Sequence, residues 1–293
     1  MQKSPLASII PIVIIVLIAC GISIGGSQNS SVYQSIPIFA LCGFIAFAVN
    51  WLVFIPSNIG QTEKYYDLTG SITYLSVIWV AVAFSQQLDF RSLLAASMVS
   101  IWAIRLGSFL FIRISQDGHD DRFDEIKIRP LRFLTAWTIQ GLWVLLTAAC
   151  ALAIITSNER LPLGSVGVIG AVIWVIGFFI EVMADRQKRL FKRNSENKGK
   201  FINVGLWSWS RHPNYFGEMT LWLGMAIMAA PILSGWQWVC MISPVFVYLL
   251  LTKVSGIPLL QKKGLEKWGD DPAYQAYLAQ TSLLFPMPPK KSS

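Results

Sequence analysis

Residues 162–193, PLGSVGVIGAVIWVIGFFIEVMADRQKRLFKR, decide the architecture. The stretch carries no charge from Pro162 to Ile180, close to the ~20 apolar residues that take a helix across a bilayer. It then passes through Glu181 and Asp185 into a run of cations ending at Arg193. This pattern predicts one long helix that crosses the membrane over 162–183 and leaves it as a basic end. Glu181, Asp185, Arg189 and Lys192 recur at i, i+4, i+8 and i+11, two carboxylates and two cations along one helical face. Such a face can bond ribose hydroxyls through its carboxylates and neutralise phosphates through its cations. The alternative is a set of ordinary ion pairs on a solvated helix, against which Glu181 still lies among apolar residues, where a bare charge is costly.

The same block pattern runs along the whole chain. Of 293 residues, 54% are hydrophobic and only 14% charged, and the apolar ones are gathered into blocks, the composition of a membrane protein. Spans are predicted at 5–24, 36–55, 71–88, 92–114, 131–156, 162–183, 214–232 and 236–253. The third is short and ends in Ser85, Gln86 and Gln87, so the count is seven or eight. The expected fold is an all-α, polytopic integral membrane helical bundle. It forms a single membrane domain over 1–293, with N-terminal spans in 1–60 ahead of a core in 61–288. The first run follows Lys3 but has no A-x-A-like site after it, so it is read as an anchor rather than a signal.

All but Arg91, Arg160 and Arg105 of the 24 lysines and arginines fall on one side if the N-terminus is cytoplasmic, and the excess of cations in inside loops then places both termini in the cytoplasm. The net charge of +8 is thereby a topological and anionic-lipid signal. Nucleic acid is not an expected partner, because the cations are divided among short loops. Cys20, Cys42, Cys150 and Cys240 sit in or beside apolar spans without C-x-x-C spacing, as small core residues do. His119 and His212 are the only histidines, and no metal centre is expected. Polar residues gather on the cytoplasmic side, in loop 56–70 with Glu63, Lys64, Tyr66 and Asp67, and in loop 115–130 with Asp120, Arg122 and Asp124. No internal repeat suggests a transporter.

Residues 205–218, GLWSWSRHPNYFGE, run a cationic turn straight into a membrane segment that carries a carboxylate. Arg211 and His212 can meet an anion, Pro213 suits the first turn of a helix, and Glu218 lies about one turn on, where lipid makes a charge expensive. Snorkelling to headgroups is the competing reading. Arg105 is flanked by Trp102, Ala103 and Ile104 before it and Leu106 and Phe109 after it, and faces the bundle interior, towards a ligand or as a partner of Glu181 or Glu218. No G-x-G-x-x-G or G-x-x-x-x-G-K-[ST] motif is present, so any nucleotide must be held by helices and loops.

Gly177-x-x-x-Glu181-x-x-x-Asp185, Gly205-Leu206-Trp207, Arg211-His212-Pro213-Asn214-Tyr215-Phe216-Gly217-Glu218, Trp222 and Ser255-Gly256-Ile257-Pro258 together resemble the bacterial branch of the steroid 5-alpha-reductase-like membrane proteins, domain of unknown function 1295. Trp102-x-x-Arg105-Leu106-Gly107 and the closing Tyr274-x-x-Tyr277 pattern fit it too, and the likeness covers 60–288. The resemblance implies reduction of an activated carbon–carbon double bond by NADPH, which enters a bundle in the bacterial inner membrane from the cytoplasmic side. It assigns Asp185, Arg189 and Lys192 to the adenosine and phosphates, Asn214 and Glu218 to the nicotinamide, and Arg105 to the cofactor. Arg211 and Tyr215 are plausible additions, and Tyr274 or Tyr277 would line the mouth.

The departure lies at the chemistry. Reduction of an enone needs a hydrogen-bond donor at the oxygen where negative charge develops. Steroid-reducing members use a glutamate and a tyrosine, but Trp102 stands where that tyrosine would be. Glu63 and Asp67 are then the candidate carboxylates, with Tyr66 or Tyr74 as phenol donors. The expected substrate is a hydrophobic small molecule, a steroid-like or isoprenoid lipid. Arg-His-Pro-x-Tyr followed by Gly and Glu also resembles the membrane methyltransferases that act on isoprenylcysteine or phospholipids with S-adenosylmethionine. The cations around Asp185 favour NADPH, which brings phosphates that S-adenosylmethionine lacks. A bundle that binds lipid without chemistry is the third reading. Neither the substrate nor the oligomeric state is written in the sequence.

Overall fold

The structure, a computed structural model, describes residues 5–118 and 120–289. Lys3, His119, Lys290 and Lys291, which enter the charge and metal arguments above, lie outside the described residues. Helices α1 (Pro5–Gly26), α2 (Ile38–Ile59), α3 (Tyr66–Phe84) and α4 (Phe90–Asp117) are followed by a single turn, α5 (Asp124–Lys127), and by α6 (Pro130–Thr156) and α7 (Gly164–Arg193). After α8 (Pro213–Ala229) come α9 (Ile242–Leu249), α10 (Ile257–Trp268) and α11 (Pro272–Gln280). The only strands among the described residues are a two-residue hairpin, Val32–Tyr33 against Ile36–Pro37. Eight helical segments are long and apolar enough to cross a membrane, so the fold is the all-α, polytopic bundle that the apolar blocks predict.

Two crossings differ in extent from the sequence reading. The third begins at Tyr66 and ends at Phe84, not at 71 and 88. Asp67 in its first turn complements the positive end of the helix dipole, while Ser85 turns to an extended conformation and closes it. The last runs from Gly235 to Trp268 rather than stopping at 253, because a π-helical turn, Leu250–Val254, carries the chain into α10.

The chain divides into two compact units, one of residues up to Gly167 with Ala229–Ser243, the other of Val168–Met228 with Pro244 onwards. In the first, α1, α2, α3 and α4 all pack on α6. Every residue of α6 from Val144 to Thr156 is buried, as befits a helix that is apolar all round. Asp89 caps α4 by accepting the Ser92 N–H at 2.8 Å. Apolar side chains of α1, among them Ile10, Val13, Ile14 and Leu17, are exposed on the bundle surface, where lipid would cover them.

In the second unit, α7 and α8 touch backbone to backbone. A Cβ on Gly217 would stand 2.5 Å from the Glu181 N and 2.7 Å from the Gly177 O. One on Gly224 would stand 2.5 Å from the Trp174 N and 2.6 Å from the Gly170 O. The paired glycines thus recur at seven-residue spacing on both helices, the small-residue packing by which membrane helices approach closely.

Candidate functional site

In the first unit the polar loops meet at one end of the bundle. Glu63, 6% exposed, accepts the Asp120 N–H at 3.1 Å and the Lys127 ammonium at 3.0 Å. Burial alone would raise its carboxyl, but these two bonds outweigh it and hold Glu63 below the usual carboxylate range. Arg122 forks onto Asp120, with Nη2 2.6 Å from Oδ2, and holds Asp120 down against the same burial. Asp67 pairs with Arg113 at 3.3 Å and retains 21% side-chain exposure. The Tyr66 hydroxyl donates to the Ala136 carbonyl at 2.9 Å, and its ring packs edge-on against Trp137 in the cluster of Phe123, Phe133 and Trp137. Glu63, Tyr66 and Asp67 are therefore brought together as parts of one interlocked loop pair. Two helical turns above Asp67, Tyr74 meets Trp102 edge to face with centroids 5.1 Å apart. A phenol thus stands beside the Trp102 indole. Arg105 is half-buried on α4, its guanidinium 5.6 Å from the Phe109 ring centre.

In the second unit a cavity of about 270 Å³ opens at the basic end of α7. Lys188, Lys192, Lys200, Arg211, Lys263 and Lys267 line it, with no carboxylate among the lining residues. Lys188 and Lys192 come from α7, while Lys263 and Lys267 are one turn apart on α10. Rings supply the rest of the wall. Phe201 packs on Tyr274 at 5.0 Å and Tyr277 at 5.4 Å, Trp268 on Tyr274 at 5.7 Å, and the Lys188 ammonium lies 4.6 Å over the Trp207 ring. The wall loop is pinned to α7. Trp207 donates its indole N–H to the Ala184 carbonyl at 3.0 Å, and the Leu206 N–H donates to Gln187 at 2.9 Å. Gly205 makes this approach at φ +61°, a left-handed conformation suited to glycine, and a Cβ there would strike the Gln187 side chain.

Arg211 and His212 join the cavity to the start of α8. The Arg211 N–H donates to the Ser282 carbonyl at 2.8 Å, and its Nε is buried without a hydrogen-bond partner. Burial lowers the Arg211 guanidinium, against the pull of the Tyr277 and Tyr274 hydroxyls; burial raises both phenols. The His212 ring stacks on Tyr215 at 5.6 Å, and its buried Nδ1 has no partner. Burial, then the charges of Lys188 and Arg211, push His212 down from 6.5 to about 3. The imidazole is neutral at physiological pH. An unfolded chain binds that proton near pH 6.5 and the folded one only near pH 3, so the stability from this group is full above 6.5 and drains away as pH falls towards 3. His212→Phe, which keeps the stacked ring, is expected to flatten the fall in melting temperature between those two values; an unchanged acid limb would place the loss elsewhere.

Of the residues assigned from sequence, Lys192, Arg211, His212, Tyr274 and Tyr277 line the cavity. Glu181 and Asp185 are buried further up α7, and Asn214, Tyr215 and Glu218 are half-buried in the first two turns of α8. The Gly177–Gly217 contact sets the Glu181 backbone against α8. Arg189 is exposed and off the lining, whereas its neighbour Lys188 is on it. At about 100° per residue, position 188 returns to within about 20° of Glu181 and position 189 swings about 80° away. The helical period therefore points to Lys188. Trp207 is visible in the sequence only as part of Gly205-Leu206-Trp207, and Lys263, Lys267 and Trp268 carry no local signal, because nothing in the residues of the turn at Leu250–Val254 says where it brings α10.

A family model described as "Protein of unknown function (DUF1295)" matches residues 53–281, and the chain belongs to that family. It is 22% identical to an uncharacterised protein of Schizosaccharomyces pombe over 84% of this chain and 78% of that one. It is 31% identical to the steroid 5-alpha-reductase DET2 of Gossypium hirsutum over 35% of this chain and 36% of the relative. A probable O-methyltransferase, ustE, of Ustilaginoidea virens is 36% identical over 22% of this chain and 23% of the relative. The chain thus spans only about a third and a quarter of the lengths of these two named enzymes. No solved structure matches the chain.

Proposed function

We propose that this chain is a membrane oxidoreductase that binds NADPH in the basic cavity and reduces an activated carbon–carbon double bond of a hydrophobic, steroid-like or isoprenoid lipid. The observation that carries the reading is the lining: six cations and a nest of rings without a carboxylate. A dinucleotide phosphate offers a pyrophosphate and a third phosphate to cations and an adenine face to aromatic rings. The buried, unpartnered Arg211 Nε fits such a group, because an acceptor there would remove the cost of an unmet donor. Partial similarity to steroid 5-alpha-reductases points to the same chemistry.

When bound, NADPH supplies a hydride equivalent. The part of this chain is to hold and shape. Lys188, Lys192, Lys263 and Arg211 bind phosphate oxygens, Phe201 and Trp268 take the adenine, and Asn214 and Glu218 orient the nicotinamide end. Tyr66 already gives its hydroxyl proton to Ala136, and Glu63 is held by Asp120 and Lys127. We therefore assign Glu63 and Tyr66 to positioning the loop pair of the first unit, and within that unit the buried Tyr74 hydroxyl and Asp67, paired with Arg113, are the groups left for chemistry. On this reading the cavity opens to the cytoplasm, where the positive-inside pattern puts the basic loops.

The O-methyltransferase relative makes S-adenosylmethionine the competing ligand, but that cofactor has no phosphate to occupy the cations. Binding of both to the detergent-purified protein separates the readings. We expect NADPH to bind in the micromolar range, about −8 kcal/mol, with S-adenosylmethionine at least about a hundredfold weaker. Glu218→Gln is expected to abolish NADPH-dependent turnover of a lipid enone in a folded protein. Selective S-adenosylmethionine binding would transfer the cavity to methyl transfer, and binding of neither would leave a lipid-binding bundle.

A further inference from the structure

Arg91 and Arg160, the two cations that the charge pattern leaves on the opposite side from all the basic loops, converge in the first unit on a small cavity of about 150 Å³. Asp89, Phe90, Leu161, Pro162 and Leu163 complete its lining. It lies where two long helices begin, α4 at Phe90 and α7 at Gly164, both of them long and apolar enough to cross a membrane. Both helix starts present the positive end of a dipole.

The arginines are only partly used. Arg91 is 3% exposed. Its Nη2 donates to the Pro162 carbonyl at 2.7 Å and the Leu163 carbonyl at 2.9 Å, while Nε and Nη1 are buried without any partner. Arg160 Nη1 donates to the Ser92 hydroxyl at 2.6 Å and the Ile154 carbonyl at 3.3 Å, and Nη2 to the Gln87 carbonyl and to the Ile155 carbonyl at 3.2 Å, yet its Nε is likewise orphaned. Asp89 is the one carboxylate on the lining. It stands 3.7 Å from Arg160 and is already engaged by the N–H and hydroxyl of Ser92 at 2.8 and 2.6 Å. Two guanidiniums against one occupied carboxylate leave the cavity net positive, with unmet donors on both arginines. Buried donors are rarely left so, and guanidinium forks match phosphate oxygens. A water takes about 30 Å³ of liquid, so the space suits a group of a few heavy atoms. Phe90, 68% exposed, and Leu161, 44% exposed, flank it with apolar surface, which suits an acyl chain beside the anion.

We propose that this cavity is a second binding site, which takes one phosphate group between Arg91 and Arg160. The group belongs to a phospholipid headgroup or to free inorganic phosphate, and the test separates the two. The full-length protein in a neutral sugar detergent is offered phosphatidylglycerol, a neutral diacyl glycolipid, or inorganic phosphate. Retention is read by native mass spectrometry and protection by the melting temperature. Wild type is expected to retain phosphatidylglycerol at least about tenfold better than the glycolipid, as charge-assisted bonding to phosphate requires. Retention that millimolar inorganic phosphate does not displace assigns the site to a headgroup. Displacement, together with protection by phosphate alone, assigns it to the free anion. Arg160→Gln should lose the preference. Because both arginines also hold carbonyls, Leu161→Trp serves beside it: it fills the cavity, leaves both guanidiniums in place and should lose the same binding with a near wild-type melting temperature. Equal retention of the two lipids without protection by phosphate, or phosphate-dependent binding undiminished in Leu161→Trp, overturns the site.

Discussion

Gly217→Val is expected to yield no stable, monodisperse protein, although it exchanges one small apolar residue for another in a segment that must cross a membrane. The new Cβ would be built 2.5 Å from the Glu181 N and 2.9 Å from its Cα. These are backbone atoms of a hydrogen-bonded helix and cannot rotate aside as a side chain would. Relief requires α7 and α8 to separate, and separation also opens the Gly170–Gly224 contact seven residues on. Overpacking a well-fitted interior typically costs about 1–3 kcal/mol and more when nothing can give. Within lipid no compensating hydrophobic force draws the helices back together, because acyl chains are as apolar as the faces they would cover. Gly217→Ala should be the milder member of the series, since it adds the Cβ without branches. Gly21→Val is the control, because a Cβ at Gly21 meets nothing within 4 Å. Size-exclusion profile and melting temperature in detergent give the readout. A Gly217→Val protein that elutes and melts like the Gly21→Val control would show that the interface has slack, and would remove the reason for holding Glu181 against α8.

That contact marks the boundary of what is legible in the chain. The crossings can be read because hydropathy is a local property: Pro162 to Ile180 is uncharged whatever it packs on, and all eight apolar blocks return as helices. Gly177 and Gly217 are also visible in the sequence, but as letters of a family pattern. That they face each other is a fact about two helices 40 residues apart in the chain. The same limit governs the polar loops. Glu63, Asp67 and Asp120 are all conspicuous near membrane ends, yet nothing local says that Glu63 is taken by Lys127 while Asp67 goes to Arg113. In the basic cavity the difference between expectation and lining is one of phase rather than of reach. Lys188 and Arg189 are chemically similar neighbours, and a spacing of eight residues drifts off a helical face that a spacing of seven keeps.

The phase argument yields the second large expected effect. Lys188→Gln, Lys192→Gln and Arg211→Gln combined should weaken NADPH by about a thousandfold, roughly 4 kcal/mol, and NADH by clearly less. A hydrogen bond to a charged partner contributes about 1.5–3 kcal/mol, so three would exceed this total. Lys192 is exposed, however, and exposed ion pairs are worth little each, which brings the sum down. The affinity of the wild type should also fall with added salt, since the outer cations are screened over a Debye length of about 8 Å at physiological ionic strength, and the triple variant should be much less salt-sensitive. Two single substitutions locate the face. Lys188→Gln should cost a substantial part of the effect, because Lys188 lines the cavity and is held over Trp207. Arg189→Gln, one residue away and exposed, should cost almost none. Isothermal titration of the purified variants with NADPH and NADH decides the matter. Equal losses for the two nucleotides would move these cations from the third phosphate to the pyrophosphate, and a larger loss from Arg189→Gln than from Lys188→Gln would put the nucleotide outside this cavity altogether.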